Sequence, residues 1–228
     1  MRSLALVLSD IHGEADVLAS ILREHRNAQL ILAAGDMTNF GRKKEAETIL
    51  KVFESELPPE IPLFFVAGNC DTQQAREVFS RHPGYIDGSS SSCANPLALK
   101  IAGCGGGLLH TGLTPYERRD EELESSLVSV FSRLSGKPAI VLTHTPPYGT
   151  FADLKHGKHL GSLAFQNLLY SHNPPVWICG HIHEGRSVSH EGETLVINPG
   201  PAAHGSYALL VIESQGSMLN AAAELRSV

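Results

Sequence analysis

Val176-Trp177-Ile178-Cys179-Gly180-His181-Ile182-His183 is the stretch on which the reading of this chain turns. Four apolar residues behind Pro174-Pro175 read as a short buried strand, and two imidazoles follow at its carboxyl end. In extended backbone residues i and i+2 project to the same side, and imidazole nitrogen is the commonest protein ligand for transition metals. The same pattern recurs upstream. The apolar run 4–8 is followed by Asp10-Ile11-His12, run 30–33 by Gly35-Asp36, run 63–66 by Gly68-Asn69 and run 139–142 by His144. Five apolar runs therefore each end in a metal-type donor, as expected of an α/β protein whose active site lies beyond the carboxyl ends of its strands.

Between the runs, apolar residues recur at helical spacing. Val17, Leu18, Ile21 and Leu22 predict a helix over 14–25, and Ala46, Ile49, Leu50 and Phe53 predict another over 43–56, stopped by Pro58-Pro59. The opening is thus βαβαβ, which implies parallel strands with helices on the sheet face. Further helices are predicted over 72–81, 117–134 and 161–171, and a strand over 97–102. Residues 84–96 read as a loop around at most a short strand, and 103–107 as a glycine-dense turn that lacks the Lys-Ser/Thr of a phosphate-binding P-loop. In the tail, 186–190, 195–198 and 207–212 read as short strands pairing antiparallel, with Glu191-Gly192-Glu193 as a hairpin tip. The expected architecture is α/β (α+β): two packed mixed β-sheets with helices outside, a four-layer α/β/β/α sandwich, in one domain spanning 1–228.

Bulk composition narrows the function classes. The 228 residues are 42% hydrophobic and 18% charged, with no apolar run near the ~20 residues of a membrane span. A net charge of −6 without a Lys/Arg cluster opposes a general nucleic-acid-binding face. Cys70, Cys93, Cys104 and Cys179 show no framework spacing, so reduced thiols are expected. The amino-terminal apolar run is too short for a secretory signal. A cytoplasmic protein is expected, to which a small phosphate ester would still be attracted if metals reverse the local sign; oligomeric state stays open.

Asp10, His12, Asp36, Asn69, His144, His181 and His183 offer only oxygen and nitrogen, a donor set that suits Mn, Fe, Zn, Ni or Co. Seven donors exceed the needs of one ion and divide between two about 3.5–4 Å apart if one carboxylate bridges. Two such ions would keep an excess of positive charge for phosphate oxygens.

The order Asp-x-His, Gly-Asp, Gly-Asn-x-Asp, Thr-His, Gly-His-x-His resembles that of the calcineurin-like metallophosphoesterases over residues 10–183. The resemblance implies one divalent ion on Asp10, His12, Asp36 and His183, a second on Asp36, Asn69, His144 and His181, and Asp36 as the bridge. It implies hydrolysis of a phosphate ester by a hydroxide held between the ions, with Asp36, Asn69, Cys70, Asp71 and His12 as the catalytic group. His12 and Asn69 would contact the phosphoryl group or orient the nucleophile. One position departs from the family: Gly68-Asn69-Cys70-Asp71 carries a thiol where a histidine usually protonates the leaving oxygen. Similar Gly-Asn-Cys-Asp forms occur in a prokaryotic branch associated with phosphodiesterase activity, so diesters are the expected substrate. The competing readings are a phosphomonoesterase acting on protein or nucleotide esters and a non-catalytic binding subunit on the same fold. Tyr148, just past His144, reads either as a wall of the substrate pocket or as ordinary loop packing; the pocket's walls are expected from loops 39–42, 72–96, 104–116 and 145–160, and His110, His156, His159 and His204 are left outside the site.

Overall fold

A computed structural model describes residues 1–93, 97–110, 112–215 and 218–228. In chain order it runs β1 (Arg2–Leu8), α1 (Ala15–Glu24), β2 (Leu30–Ala34), α2 (Lys43–Glu56), β3 (Leu63–Val66), α3 (Gln73–Phe79), β4 (Ser90–Ser92), β5 (Lys100–Cys104), β6 (Gly107–Leu108) and β7 (Glu117–Arg118). Then come α4 (Asp120–Arg133), β8 (Ile140–Thr143), β9 (Leu154–Lys155), β10 (Lys158–His159), α5 (Leu163–His172), β11 (Val176–Ile178), β12 (Ser187–Glu191), β13 (Thr194–Asn198), β14 (Ser206–Gln215) and β15 (Met218–Ser227).

Two mixed sheets carry the fold. The first has the order β15-β14-β1-β2-β3, the second β12-β13-β11-β8-β5-β4. Strands β1, β2 and β3 are parallel, as are β13, β11, β8 and β5. Antiparallel strands close three sheet edges: β15 on one sheet, β12 and β4 on the other.

Alternation along each strand sorts side chains into layers. Leu6, Ile31 and Phe65 point to the outer face of the first sheet and bury Ile21, Leu22 and Phe53 of α1 and α2. Val7, Leu32 and Val66 face inward and meet Ile140, Leu142 and Ile178 of the second sheet. Val141, Trp177 and Val196 point to the far side and cover Leu123, Leu127 and Phe165 of α4 and α5. The result is the expected α/β/β/α stack. Trp177 is completely buried, and its indole N–H donates to Thr143 Oγ1 at 3.0 Å, so the ring adds apolar area without an unpaired donor.

Several boundaries differ from expectation. Residues 117–118 pair with 107–108 as strand, so α4 starts only at Asp120. Helix α3 begins after Thr72 and α5 after Ser162, whose hydroxyls accept from Ala75 N and Phe165 N as caps. The loop 84–96 does hold one short strand as expected, β4 of three residues; its residues 94–96 fall outside those described. The tail strands do not form one antiparallel set. β12 and β13 do pair that way, but β13 lies parallel to β11, and β14 crosses to the other sheet to pair with β1. The last strand, β15, went unforeseen because its Asn220-Ala221-Ala222-Ala223-Glu224 centre has low strand propensity. Among the described residues, no helix is long and apolar enough to cross a membrane.

Candidate metal centre

The carboxyl ends of β1, β2 and β3 in one sheet and of β8 and β11 in the other meet at one rim, and all seven expected ligands lie there. Left-handed backbone turns the chain abruptly at this rim. Asp10, His12, Asp36 and His181 all have positive φ, at 53°, 47°, 48° and 68°. Such backbone costs a non-glycine residue roughly 1–2 kcal/mol, and outliers of this kind cluster at functional sites. Here neighbouring loops hold it in place: Asp10 N donates to Gly35 O at 3.0 Å, and His12 N to Asp36 O at 2.9 Å.

The loops after β2, β3 and β8 approach so closely that glycine is required between them. A Cβ on Gly35, itself at φ 91°, would lie 2.6 Å from His144 Nδ1. One on Gly68 would lie 2.1 Å from Asp36 Oδ1 and 2.2 Å from Asp36 N. Each glycine of the Gly-Asp and Gly-Asn pairs therefore makes room for a ligand contributed by another segment.

Three overlapping donor groups result, within each of which the ligand atoms lie no more than 4.8 Å apart: Asp10, His12 and His183; Asp10, Asp36 and His144; and His12, Asp36 and Cys70. His183 Nε2 is 3.3 Å from Asp10 Oδ1 and 3.4 Å from His12 Nε2. His144 Nε2 is 3.5 Å from Asp36 Oδ2 and 2.8 Å from Asn69 Oδ1. The His181 ring centroid lies 5.0 Å from that of His144, and its backbone N–H donates to Asp10 Oδ2 at 3.1 Å. The pair His181 and His183 is not extended as expected. β11 ends at Ile178, His181 is left-handed and His183 opens a short 3₁₀ turn, so the two rings go to different neighbours.

These residues fit divalent cations. His144 Nδ1 must donate to the Ala34 carbonyl, 2.7 Å away, which fixes the tautomer and turns Nε2 toward the carboxylates. That Nε2 faces Asn69 Oδ1, another acceptor when the ring is neutral, so the contact calls for a shared cation or a second proton. Asp10 Oδ1 is buried and makes no well-aligned hydrogen bond, its close neighbour being His183 Nε2 at 3.3 Å, as for a carboxylate oxygen and an imidazole that share a metal.

Electrostatics point the same way. Burial pushes the Asp10 carboxyl up, yet the His183 hydrogen bond and the charge of His144 outweigh it and hold the group below the usual carboxylate range. Asp36 behaves alike: burial raises it, and His144 more than compensates. His144 is drawn up to about 9, burial being overcome by Asp36. His181 is pushed down to about 4 by burial and by the charge of His144. A neutral imidazole is the form a metal takes.

Cys70 and Asp71 take different places. The Cys70 thiol joins His12 and Asp36 in a donor group, and its backbone N–H donates to Asp36 Oδ1 at 2.7 Å. Burial and the neighbouring Asp36 push that thiol up. Asp71 lies outside all three donor groups. Its Oδ1 accepts from Thr38 N and Thr38 Oγ1 at 2.8 and 2.9 Å, and its Oδ2 from Gly68 N and Met37 N at 2.8 and 3.2 Å. It ties the Asp36 loop to the Asn69 loop, and burial and Asp36 raise its carboxyl to about 7.

Of two cavities between these loops, only the smaller has an expected ligand in its wall. One of about 310 Å³ has His181, Tyr148, His159 and His110 among its walls, so two histidines left outside the site by sequence reasoning face the same space as a ligand. A wider one of about 840 Å³ lies between Phe40, Arg42, Thr72, Gln73 and Leu113. His204 also approaches, its ring 6.4 Å from that of His183. Spacing alone could not find His110, His159 and His204, because they lie in loops and two- or three-residue elements too short to show a period.

Comparison with known proteins agrees with this geometry. The family model for calcineurin-like phosphoesterases matches residues 4–185. The uncharacterized protein MJ1162 of Methanocaldococcus jannaschii is 32% identical over 206 residues, covering 88% of this chain and 89% of that one. Among solved structures, TT1561 of Thermus thermophilus superposes with a TM-score of 0.70 at 18% identity, over 97% of this chain and 99% of that one. A dimetal phosphatase from Danio rerio gives 0.65 at 11% identity, over 97% and 98% of the two chains. Family model, archaeal relative and shared fold lead to one conclusion: the chain belongs to the calcineurin-like phosphoesterase family.

Proposed function

We propose that this protein is a dinuclear metal-dependent phosphoesterase with a preference for phosphodiesters. The observation that carries the reading is the set of three donor groups found among the described residues, in which Asp10, His12 and Asp36 each belong to two, with His183 Nε2 3.3 Å from the buried Asp10 Oδ1. We assign one ion to Asp10, His12, Asp36 and His183 and the other to Asp36, Asn69, His144 and His181, with Mn, Fe, Zn, Ni or Co as candidates. When bound, two divalent ions supply an activated water nucleophile and neutralise charge developing on the phosphoryl oxygens.

The chain's own residues set the geometry for this chemistry. Ala34 O holds the His144 proton at Nδ1 and so keeps Nε2 free. Asn69 Nδ2 donates to Cys70 Sγ at 3.4 Å, which orients its Oδ1 toward His144. His12 is the more accessible of the two donors that follow β1, its side chain 18% exposed against 1% for Asp10, which supports assigning it the contact with an incoming phosphoryl group. With Cys70 in place of an imidazole, no histidine at that position hands a proton to the leaving oxygen. Esters whose leaving groups need little protonation should react fastest. We also take residues 1–228 as one domain, supported by the return of β14 to pair with β1.

The test is Mn²⁺-dependent turnover of bis- and mono-p-nitrophenyl phosphate, with Asp36→Ala as control. Turnover of the diester above the monoester, lost in Asp36→Ala, is the expected result. Monoester preference would replace the diester reading by a phosphatase, and no turnover of either compound would favour a binding protein on this scaffold. Cys70→His should shift the ratio of aryl diester to alkyl monoester toward the monoester; an unchanged ratio removes Cys70 from the explanation.

A further inference from the structure

The cavity beside His181 is a built site rather than a gap between loops. Its walls include Leu109, Tyr148, His159, Leu160 and Ile182 together with His181, one of the expected ligands, so a group held there lies beside the candidate metal centre. Leu109 is 50% exposed, Tyr148 36%, Leu160 37% and the adjacent Leu163 55%. Four large apolar groups left in water around one opening mark a binding surface more than a folding need.

The polar fittings are held from behind. Asp153, completely buried, accepts from His159 Nδ1 at 2.6 Å through Oδ1, and from Gly161 N at 2.9 Å and Gly149 N at 3.1 Å through Oδ2. One carboxylate thus clamps both ends of the segment that carries Tyr148 and His159, and Nε2 remains as the polar atom of the His159 ring. The Tyr148 and His159 ring centroids are 5.5 Å apart with planes tilted by 57°, an aromatic corner.

Charge and size narrow the occupant. Among the described residues lining the cavity there is no Lys or Arg; three imidazoles, of His110, His159 and His181, share its walls with the Asp120 carboxylate, so no permanent positive charge there recruits a second phosphate. A volume of about 310 Å³ lies at the small end of ligand pockets, roughly 300–1,000 Å³. A single ring system fits; a protein surface does not.

Resting on the phosphoesterase reading above, we infer that this cavity binds an uncharged aromatic ester group of the substrate, an aryl or nucleobase-like ring, with its phosphate at the metal centre and Tyr148 and His159 against the ring. Apolar burial and aromatic contact favour such a group over a small alkyl one.

The experiment is calorimetric titration of the Mn²⁺-loaded full chain with phenylphosphonate and with methylphosphonate, each carrying one organic group. Phenylphosphonate should bind about tenfold more tightly or better, since a buried ring contributes more than a methyl. Tyr148→Ala and the half-exposed Leu160→Ser should each bring that ratio below about threefold, and Tyr148→Phe should restore it, because the ring and not the hydroxyl makes the contact. Equal affinities in the wild type, or a ratio unmoved by both Tyr148→Ala and Leu160→Ser, overturn the inference. The two readings fail separately: discrimination without ester turnover keeps the cavity and removes the enzyme, whereas turnover without discrimination does the reverse.

Discussion

His12 and His183 stand 171 residues apart in sequence, and their Nε2 atoms stand 3.4 Å apart in the fold. Two neutral imidazoles can share one proton at best, yet Asp10 Oδ1 lies 3.3 Å from the same His183 nitrogen. Three donors converging from two sheets are what a cation holds together.

Metal loading should therefore stabilise the fold. At a hundredfold excess over Kd an ion bound only by the native state adds about 2.7 kcal/mol, which for a chain of this size raises Tm by about 5–10 °C. Differential scanning calorimetry with Mn²⁺ and with chelator measures it. His183→Ala should shrink the shift, and Asp36→Asn, which weakens the shared carboxylate, should nearly abolish it.

Asp71 is expected to act on stability and positioning together. Asp71→Ala leaves four buried donors on Gly68, Met37 and Thr38 without their acceptor and should cost about 3–5 kcal/mol. Urea unfolding gives the value; a loss under about 1 kcal/mol would show that water replaces the carboxylate.

Gly68→Ala should be more damaging to the centre than to the core. The added methyl would meet Asp36 Oδ1 at 2.1 Å and Asp36 N at 2.2 Å, so the Asp36 loop must shift. Bound metal measured by mass spectrometry should fall well below wild type while far-UV circular dichroism is retained.

Acid should loosen one particular loop. Burial would raise the Glu117 carboxyl, but backbone N–H groups of His110, Thr114 and Gly112 outweigh it and hold it down at about 2 against an ordinary 4.5. A lowered folded value means that the contribution is present above pH 4.5 and disappears as pH falls toward about 2. Amide exchange at Gly112 and Thr114 should accelerate across that window, and Glu117→Gln should show fast exchange throughout; exchange flat with pH in the wild type would refute the assignment.

Much of this was legible in the residues. Wherever a hydrophobic run met a donor directly, as at Leu8-Ser9-Asp10 or Val141-Leu142-Thr143-His144, strand and ligand could both be read, because one covalent segment encodes the two together. His110 and His159 could not be read, since their approach to His181 depends on how separate loops fold over the rim. Asp71 has the sequence neighbours of a catalytic carboxylate, but its hydrogen bonds belong to loop packing, a distinction that spacing does not carry. The crossing of β14 to the first sheet is likewise a tertiary choice: alternating residues such as Ala208, Leu210 and Ile212 suit an inner face in either sheet.

The ligands straddle both sheets, and that has a consequence for how the protein is born. Asp10, Asp36 and Asn69 emerge early from the ribosome, whereas His144, His181 and His183 follow more than seventy residues later. An ion meeting the nascent amino-terminal half finds carboxylates and little nitrogen. On the proposed assignment, tight capture would wait for the second half to arrive and dock, so that a filled centre would mark completed assembly.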